Sequence, residues 1–452
     1  MEKIKNVSLN SMMEKLPMTR QRYMVLIMVV FVMIFEGYDT MIMPYVMPKL
    51  EHLWHLSPLQ LGSLASYGAI GLLIGSLFLG PVADRFGRRP IMIFGLVWFS
   101  VFTGLTILSN SYTSFAILRI LAGIGMGGVM PIAASLAAEY APPHRRGFYV
   151  SSVYAGLIVG WVLSGVLAIL VVPSFGWRSM FSIGLLPILY AIVLARWLPE
   201  SLQILIKRGD IQKARQVLQR LGYAEYSNSV ENLRLEAIED NNSLAQVSLL
   251  FKGNMALTTV LLWFTTFFTL LFMYGYASWL PTLMVKAGHG LVRSYSYGLV
   301  VSIAQVAGNL ILGELMDRFG AKKITIYYFV FLIISIVLFG MGSSNVYIYF
   351  LGVLVGLFTA VQAGINTILA KIYPTNVRAS GIGLNAGIGR LGSIFGPIVV
   401  GWLGGFSLNL EGYMLSFAVM AILAMLALIP TRVHDYSSIP SQAGYVPKSE
   451  SV

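Results

Sequence analysis

Twelve long apolar stretches, separated by short polar segments, make up most of this chain of 452 residues. An α-helix needs about 20 residues to cross the hydrocarbon core of a bilayer, where every backbone polar group must find its partner within the chain. Composition agrees, because 57% of the residues are hydrophobic, 11% are charged and the mean hydropathy is +0.75. These features exclude a disordered chain and predict an all-α membrane protein with twelve transmembrane helices.

The predicted spans are numbered 1 to 12 along the chain, at residues 23–48, 60–83, 90–109, 112–138, 147–171, 177–198, 256–280, 295–317, 323–342, 345–371, 379–404 and 412–430. One long polar connection separates the first six spans from the last six. The expected organisation is a tail 1–22, a six-helix bundle 23–198, a linker 199–255, a second bundle 256–430 and a tail 431–452. The first tail has no apolar run with a small-residue cleavage site, so no cleaved signal peptide is expected.

Lysine and arginine are distributed unequally between the two sides of the predicted bundle. The two tails and the connections after even-numbered spans carry 24 of the 31, and the opposite side carries four. Because cytoplasmic segments retain positive charge during insertion, both termini are predicted to be cytoplasmic in a multi-pass protein of the plasma (inner) membrane. The same asymmetry accounts for the net charge of +12, so no nucleic-acid partner is expected.

The residues that enzymes use most are absent or scattered. There is no cysteine, which excludes disulfides, thiolate metal sites and cysteine nucleophiles. All five histidines lie in or near loops, with no metal-ligand cluster and no nucleophile beside a base. The sequence therefore predicts neither an enzyme nor a metal or cofactor site.

Within the linker, apolar residues recur at helical spacing after Asp210, a possible N-cap, and end before Gly222. They predict a short amphipathic cytosolic helix, with Ile211, Ala214, Val217, Leu218 and Leu221 on its apolar face. A tether between the two bundles is favoured over a regulatory binding site.

The two bundles share repeated loop motifs. The sequence GPVADRFGRR follows span 2 and GELMDRFGAK follows span 8, which places Asp317 and Gly320 each 233 residues after Asp84 and Gly87. The loops after spans 4 and 10 agree, since Pro374 and Arg378 each lie 232 residues after Pro142 and Arg146. The bundles are therefore expected to be parallel repeats with a substrate site at their interface, near the membrane midplane.

The loop after span 2 resembles the signature loop of the major facilitator superfamily, and the twelve-span pattern covers nearly the whole chain. The resemblance implies the major facilitator fold, with two pseudo-symmetric six-helix bundles. A turn glycine, an acid and flanking guanidiniums can form a charge-paired latch on the cytosolic side. Its predicted members are Asp84, Arg85, Gly87, Arg88, Arg146, Asp317, Arg318, Gly320 and Arg378. Simple positive-inside anchoring is the alternative, and it is favoured for Arg89 and Lys323.

Four ionisable side chains lie deep within the predicted spans, where a charge is costly and commonly marks a pathway. They are Glu36 and Asp39 in span 1, Arg119 in span 4 and Arg390 in span 11. Glu36 and Asp39 are three residues apart and can face one cavity. Asp39 precedes the outer end of span 1 by nine residues, and Arg119 follows the outer start of span 4 by seven. At 1.5 Å per residue their depths differ by about 3 Å.

An aspartate that pairs with an arginine when ionised, and releases it when protonated, can act as a proton switch. Related symporters use a helix 1 acid and a helix 4 arginine in this way, so the resemblance implies the role for Asp39 and Arg119. A static pair that fixes helix packing is the alternative. Glu36 can share the proton with Asp39 or be kept neutral by burial.

Arg390 is the leading candidate for binding substrate, because its guanidinium offers a planar fork to a carboxylate near the midplane. A bond to span carbonyls or to a polar neighbour is the alternative. Candidates for orienting the rest of the substrate are Gln305, Asn309, Gln362 and Asn366, and Tyr38 can stack on an aromatic ring. For the four amide residues, hydrogen bonding between helices is favoured as strongly as a role in orienting the substrate.

A finer resemblance is to aromatic acid:proton symporters. It rests on EGYDT at 36–40, RILAGIGMGG at 119–128, PESL at 199–202, WLPTL at 279–283 and GIGRLG at 387–392. The family pattern in span 1 usually begins with Asp, where this chain has Glu36. The resemblance implies proton-coupled uptake of benzoate, hydroxybenzoates or nicotinate by a monomer in the lipid bilayer, with the proton as coupling ion and no other cofactor.

Three other classes of protein agree less well with the sequence. Sugar porters share YDT at 38–40 and PES at 199–201, but span 7 lacks their paired Gln and the end of span 12 lacks Pro-Glu-Thr. Drug/proton antiporters carry a Gly-Pro motif in span 5, which is missing here. A non-transporting receptor needs a signalling domain, for which the linker leaves little room.

Overall fold

In the computed structural model the described residues are 7–8, 16–223, 233–234, 248–251, 254–342 and 344–431. Within them, twelve helical segments are long and apolar enough to cross a membrane, which confirms the predicted number. Spans 1 to 12 run over Arg20–Trp54, Pro58–Phe86, Arg88–Leu108, Tyr112–Tyr140, Arg146–Phe175, Arg178–Trp197, Met255–Lys286, Leu291–Phe319, Ala321–Gly340, Asn345–Ile372, Ser380–Phe406 and Leu410–Leu428. Some of the 24 basic residues counted above lie outside the described residues; they include Lys3, Lys5, Lys15, Arg432 and Lys448.

Several spans are interrupted. Span 1 consists of helices Arg20–Thr40 and Ile42–Trp54, span 4 of Tyr112–Gly127 and Val129–Tyr140, span 6 of Arg178–Ile183 and Leu186–Trp197, and span 10 of Asn345–Phe358 and Val361–Ile372. The helices Arg88–Leu105 and Thr375–Leu403 are followed by 3₁₀ turns Thr106–Leu108 and Gly404–Phe406, and the helix of span 7 is Asn254–Lys286. A 3₁₀ turn also covers Pro143–Arg145, and strands Val7–Ser8 and Leu233–Arg234 pair in parallel.

Spans 1 and 7 extend six residues beyond their predicted ends. Pro48 and Pro281 lie inside these helices without ending them. The added turns are stable because they bury apolar side chains, such as Leu50 and Met284. They also meet each other, since Lys286 Nζ lies 2.7 Å from Glu51 Oε1.

The linker contains two short helices, Leu202–Lys207 and Ile211–Arg220, and the second one, the linker helix, confirms the prediction. Its apolar residues Ala214, Val217 and Leu218 are buried against the first bundle. The capping role expected for the side chain of Asp210 is not observed, because that carboxylate pairs with Lys213 at 3.3 Å instead. Gly222 follows with a φ of 87°, which ends the helix.

The two bundles are pressed together on the side of the membrane opposite the linker, here called the far side. Ser66 Oγ in span 2 donates to the carbonyl of Ile394 in span 11 at 2.6 Å, and the Tyr295 hydroxyl donates to the carbonyl of Tyr45. A Cβ at Gly62 would lie 2.3 Å from the carbonyl oxygen of Pro397, so the backbones of spans 2 and 11 are in contact. This side is closed.

On the linker side the corresponding helix faces are open. A Cβ built at any of five glycines there would have no neighbouring atom within 4 Å; they are Gly80, Gly147, Gly313, Gly383 and Gly387. They belong to spans 2, 5, 8 and 11, the spans that join the bundles on the far side. The hydrogen bonds and the ion pair that join the bundles within the described residues all lie on the far side, and none joins them on the linker side. We therefore interpret the space between the bundles as a vestibule that opens toward the linker side.

Candidate functional site

Asp39 and Arg119 form a buried, bidentate ion pair inside the first bundle. Arg119 Nη2 lies 2.8 Å from Asp39 Oδ2, and Arg119 Nη1 donates to Asp39 Oδ1 at 3.2 Å. The Thr103 hydroxyl of span 3 donates to the same Oδ1 at 2.6 Å. The exposed fractions of Asp39 and Arg119 are 1% and 2%. The equal depth expected from the helical rise is confirmed by this contact.

The close crossing of spans 2 and 4 places Arg119 opposite span 1. A Cβ at Gly123 would lie 2.2 Å from the carbonyl of Gly68, and one at Gly71 would lie 2.0 Å from that of Ile120. Only glycine allows these backbones to approach so closely. Phe181 lies against the guanidinium, with Arg119 Cζ 5.8 Å from its ring centroid, and adds a cation–π contact.

Glu36 faces the other way, toward the second bundle. Its side chain is 2% exposed, and Oε2 is buried without a hydrogen-bond partner among the described residues. The charges that act on it are those of Arg390, across the interface, and Asp39 on its own helix. The expectation that both acids face one cavity needs correction, because Asp39 is enclosed by spans 3 and 4 while Glu36 faces the interface between the bundles.

Arg390 lies near the middle of the helix Thr375–Leu403, half-buried at the interface. Its side chain has no hydrogen bond and no ion pair with any described residue. The ionisable groups that act on its charge are Glu36, Tyr154 of span 5 and Tyr274 of span 7. A half-buried guanidinium that has aromatic neighbours, and whose N–H groups have no partner among the described residues, can bind an anion.

A central cavity of about 50 Å³ lies at the closed end of the vestibule. Its walls come from both bundles and include Trp161 of span 5, Tyr274 and Tyr276 of span 7, and Ser302 and Gln305 of span 8. Buried polar atoms without a partner among the described residues include Trp161 Nε1 and the Tyr276 hydroxyl. The cavity is therefore mostly apolar, with some aromatic walls and a few polar atoms that have no partner among the described residues.

The four predicted amide residues form two pairs, each within one helix. Gln305 lines the central cavity, and its carbonyl accepts a bond from Asn309 Nδ2 at 2.9 Å. Gln362 Nε2 donates to Asn366 Oδ1 at 3.1 Å, which leaves Gln362 Oε1 buried without a partner among the described residues. Both bonds lie within one helix, so neither joins two helices as interhelical amide bonding requires.

Tyr38 lies away from the interface, contrary to its expected role in stacking on substrate. Its hydroxyl donates to the carbonyl of Met180 in span 6 at 2.8 Å, and its ring is buried inside the first bundle. Tyr38 follows Glu36 by two residues, which turns it about 200° around the helix. The contact ties span 1 to span 6.

The predicted latch residues are not joined across the bundles in this open state. Asp84 and Asp317 are exposed and have no ion pair with a described residue. Arg318 pairs with Glu314 on its own helix at 2.5 Å, and Arg378 Nε donates to the carbonyl of Tyr373 at 3.1 Å. The acids that hold this region are two others, one in span 4 and one at the start of the linker.

Glu139 and Glu200 fix the start of span 3. Arg88 Nη1 lies 2.8 Å from Glu139 Oε2, and Glu200 Oε1 accepts the backbone N–H groups of Arg88 and Arg89 at 2.9 and 3.1 Å. A carboxylate at a helix N-terminus is favoured by the exposed N–H groups and the helix dipole. The hydroxyl of Tyr140, next to Glu139, donates to the carbonyl of Glu200 at 2.7 Å.

Arg85, Arg146, Gly87 and Gly320 complete the predicted latch set. Arg85 lies beside the ring of Phe86, with its Cζ 5.7 Å from the centroid, and Arg146 Nε is buried without a partner among the described residues. Gly87 and Gly320 both have positive φ, 109° and 91°, at the ends of spans 2 and 8. The repeat in sequence is thus a repeat of backbone conformation.

Sequence reasoning missed four residues of this site. Thr103, Tyr154, Trp161 and Glu139 belong to no motif that the sequence analysis singled out. A hydroxyl or an indole in an apolar helix is common, and only the packing shows which of them point inward.

This chain has twelve spans in two repeated bundles, and ionisable side chains lie at the interface between the bundles, beside a vestibule that opens to one side. These features define a membrane transporter. The model of the Major Facilitator Superfamily matches residues 29–304 and 295–449. The chain belongs to this superfamily.

Similar curated proteins cover almost the whole chain. A benzoate transport protein of Acinetobacter baylyi is 30% identical over 431 residues, 94% of this chain and 92% of that protein. A niacin transporter of the same organism is 32% identical, covering 87% of this chain and 90% of its own length. A 4-hydroxybenzoate transporter of Pseudomonas putida is 30% identical, covering 94% and 96%.

Solved structures share the fold. The xylose transporter XylE from E. coli, in a partially occluded inward open conformation, matches with a TM-score of 0.69 and 19% identity over 90% of this chain and 98% of that chain. An inward-facing bacterial homologue of the human lysosomal transporter Spinster matches with a TM-score of 0.70 and 17% identity over 91% and 96%.

Proposed function

We propose that this transporter takes up a small aromatic carboxylate together with protons. The observation that carries the proposal is the guanidinium of Arg390, which stands at the bundle interface without a hydrogen-bond or ion-pair partner among the described residues. Tyr154 and Tyr274 act on its charge, and Tyr274 also lines the central cavity. The names of the similar benzoate, niacin and 4-hydroxybenzoate transporters point to the same substrate class.

Charge balance assigns Glu36 a part in this cycle. When Glu36 is ionised in the empty transporter, its carboxylate offsets the positive charge of Arg390 across the interface. A substrate carboxylate that binds Arg390 takes over this role, and Glu36 then becomes an uncompensated buried acid. Glu36 therefore competes with substrate for Arg390 and favours release once the vestibule opens to the linker side.

Asp39 is the proposed proton switch. Ionised, it is held by Arg119 and Thr103, as in the structure. A proton on Asp39 removes the charge that keeps Arg119 in place and changes which packing of spans 1, 3 and 4 is favoured. Alternation between the two packings exposes Arg390 to one side of the membrane at a time.

The orientation belongs to the same proposal. The positive charges place the linker and both termini in the cytoplasm of the cell whose plasma (inner) membrane holds the protein. The proton is the only coupling ion proposed, and the functional unit is a monomer.

Uptake into proteoliposomes tests the proposal. Labelled benzoate, 4-hydroxybenzoate, nicotinate and xylose are offered with and without an acidic exterior. Accumulation of a ring acid above its external concentration, dependent on the pH gradient and absent for xylose, is the expected result. Accumulation of xylose alone would make the protein a sugar symporter, and binding without movement of any labelled ligand would make it a receptor.

A further inference from the structure

A second groove, remote from the vestibule, lies on the linker side of the first bundle. It encloses about 820 Å³ between the start of span 3, the end of span 6 and the linker helix. Span 3 contributes Phe94 and Val97, the end of span 6 contributes Leu198, and the linker helix contributes Arg220. None of the site residues described above for substrate or proton lines it.

The charges in this groove do not balance. Arg89, Arg208 and Arg220 line it, and none of the three pairs with a carboxylate of a described residue. Arg89 and Arg208 donate to the carbonyls of Ala195 and Arg85, which are neutral groups. Arg220 is exposed and has no hydrogen bond with the described residues.

The two acids of the groove are already engaged. Glu200 accepts backbone N–H groups at the start of span 3, and Asp210 pairs with Lys213 at 3.3 Å. Three arginines that line one groove without a counter-charge among the described residues favour a phosphate, which can accept several guanidinium N–H groups at once.

The apolar part of the groove lies at the end of the membrane-spanning region. Span 3 begins at Arg88 and span 6 ends at Trp197, so the groove straddles the level of the lipid headgroups. Phe94 and Phe86 line it with exposed fractions of 46% and 59%. Trp197, 57% exposed, lines an adjoining groove of about 360 Å³ together with Arg196 and Arg220. Aromatic side chains beside cations are typical of a membrane interface.

We propose that this groove binds an anionic phospholipid of the linker-side leaflet. The phosphate lies among Arg89, Arg208 and Arg220, and the acyl chains lie along Phe94 and Val97. An occupied groove links the linker helix to span 3 through the lipid, so it also stabilises the linker against the first bundle. The inference is independent of the proposed substrate, because no transport residue takes part.

Native mass spectrometry of the delipidated full-length protein, titrated with phosphatidylglycerol or phosphatidylcholine, tests the proposal. Phosphatidylglycerol is expected to bind more tightly. R220Q should weaken its binding about fivefold, and the combination of R89Q, R208Q and R220Q about a hundredfold, since each cation contributes a comparable factor near an anionic lipid. Arg220 makes no protein hydrogen bond within the described residues, so R220Q alone should leave the fold intact.

A matched control removes three other linker-side charges, with R20Q, K207Q and K323Q in one protein. These side chains are exposed and lie outside the groove. The control should bind phosphatidylglycerol as the wild type does. Equal binding of the two lipids, equal loss in control and groove variants, or complete displacement of the lipid by an equal concentration of glycerol phosphate would overturn the assignment.

Discussion

Glu36 and Asp39 lie one helical turn apart, yet they have different electrostatic environments. Asp39 has two guanidinium bonds and a hydroxyl bond, and all three come from its own bundle. Glu36 has an unpartnered buried oxygen and faces a cation of the other bundle. Protonation of Asp39 can therefore change the packing of the first bundle, whereas Glu36 couples the two bundles through Arg390.

Asp39→Asn should abolish accumulation of substrate against a gradient and spare exchange of substrate for substrate. The amide keeps the size of the side chain but cannot cycle between a charged and a neutral form. Uptake and counterflow in the same proteoliposomes measure the two activities. Full proton-driven accumulation by this variant would refute the switch.

Glu36→Gln should tighten substrate binding by roughly tenfold, which corresponds to about 1.4 kcal/mol. The physical reason is that the substrate carboxylate no longer competes with a buried carboxylate for Arg390. Equilibrium binding of labelled benzoate measures the change, with the exposed far-side variant Glu411→Gln as the control. An unchanged or weaker affinity would show that Glu36 does not offset Arg390.

For individual residues, the sequence predicted the depth of a side chain in the membrane better than the direction in which the side chain points. The rise per residue placed Asp39 and Arg119 at one level, and the two side chains meet. The directions of Tyr38 and Thr103 could not be predicted, because spans 1 and 3 are apolar on all sides and their patterns do not show which face points inward.

Among the helical elements, the ends of spans 2 and 8 form a matched pair. Gly87 and Gly320 occupy equivalent repeat positions with φ of 109° and 91°. Their surroundings differ, since a Cβ at Gly87 would lie 2.3 Å from Glu200 Oε2, whereas one at Gly320 would meet nothing within 4 Å. The second bundle has the same turn at Gly320 but lacks this contact.

Gly87→Ala should therefore destabilise the protein more than Gly320→Ala. Both variants incur the strain of a positive φ with extended ψ, which glycine alone adopts readily, about 1–3 kcal/mol. Only Gly87→Ala also displaces the carboxylate that caps span 3. Thermal unfolding in detergent measures both losses, and equal shifts in Tm would contradict the role given to Glu200.

Element ends were predicted to within four residues except where a helix continues past proline. The far ends of spans 1 and 7 run six residues further than predicted, through Pro48 and Pro281. Hydropathy falls there because polar residues begin, but packing between the two ends sustains the helices. That contact joins the bundles and has no signature in either segment alone.

For the whole molecule, the repeat offset predicted two bundles with an interface, and the structure adds the direction of opening. The inward-open and outward-open states of a transporter differ in which ends of the same helices are in contact. One sequence specifies both states, so the sequence does not show the direction of opening. Far-side contacts such as Ser66 with Ile394 and Glu51 with Lys286 must break for the vestibule to face that side.

A reversible cross-link between Glu51→Cys and Lys286→Cys should stop transport. The chain contains no native cysteine, so a short bis-methanethiosulfonate, which forms a disulfide with each thiol and releases methanesulfinate, will act on this pair alone. Locking the far side prevents alternation, and reduction should restore uptake. Either single-cysteine variant serves as the control, and undiminished transport by the cross-linked protein would mean that this contact persists through the cycle.

The most direct measurement concerns Arg390 and the charge of the substrate. Equilibrium binding of benzoate and of its neutral analogue benzamide is measured for the wild type and for Arg390→Ala. The wild type should prefer benzoate, and the variant should bind the two compounds with nearly equal affinity, because only the carboxylate engages the guanidinium. If Arg390→Ala keeps the full preference for benzoate, the anion is recognised elsewhere and the proposed substrate site is wrong.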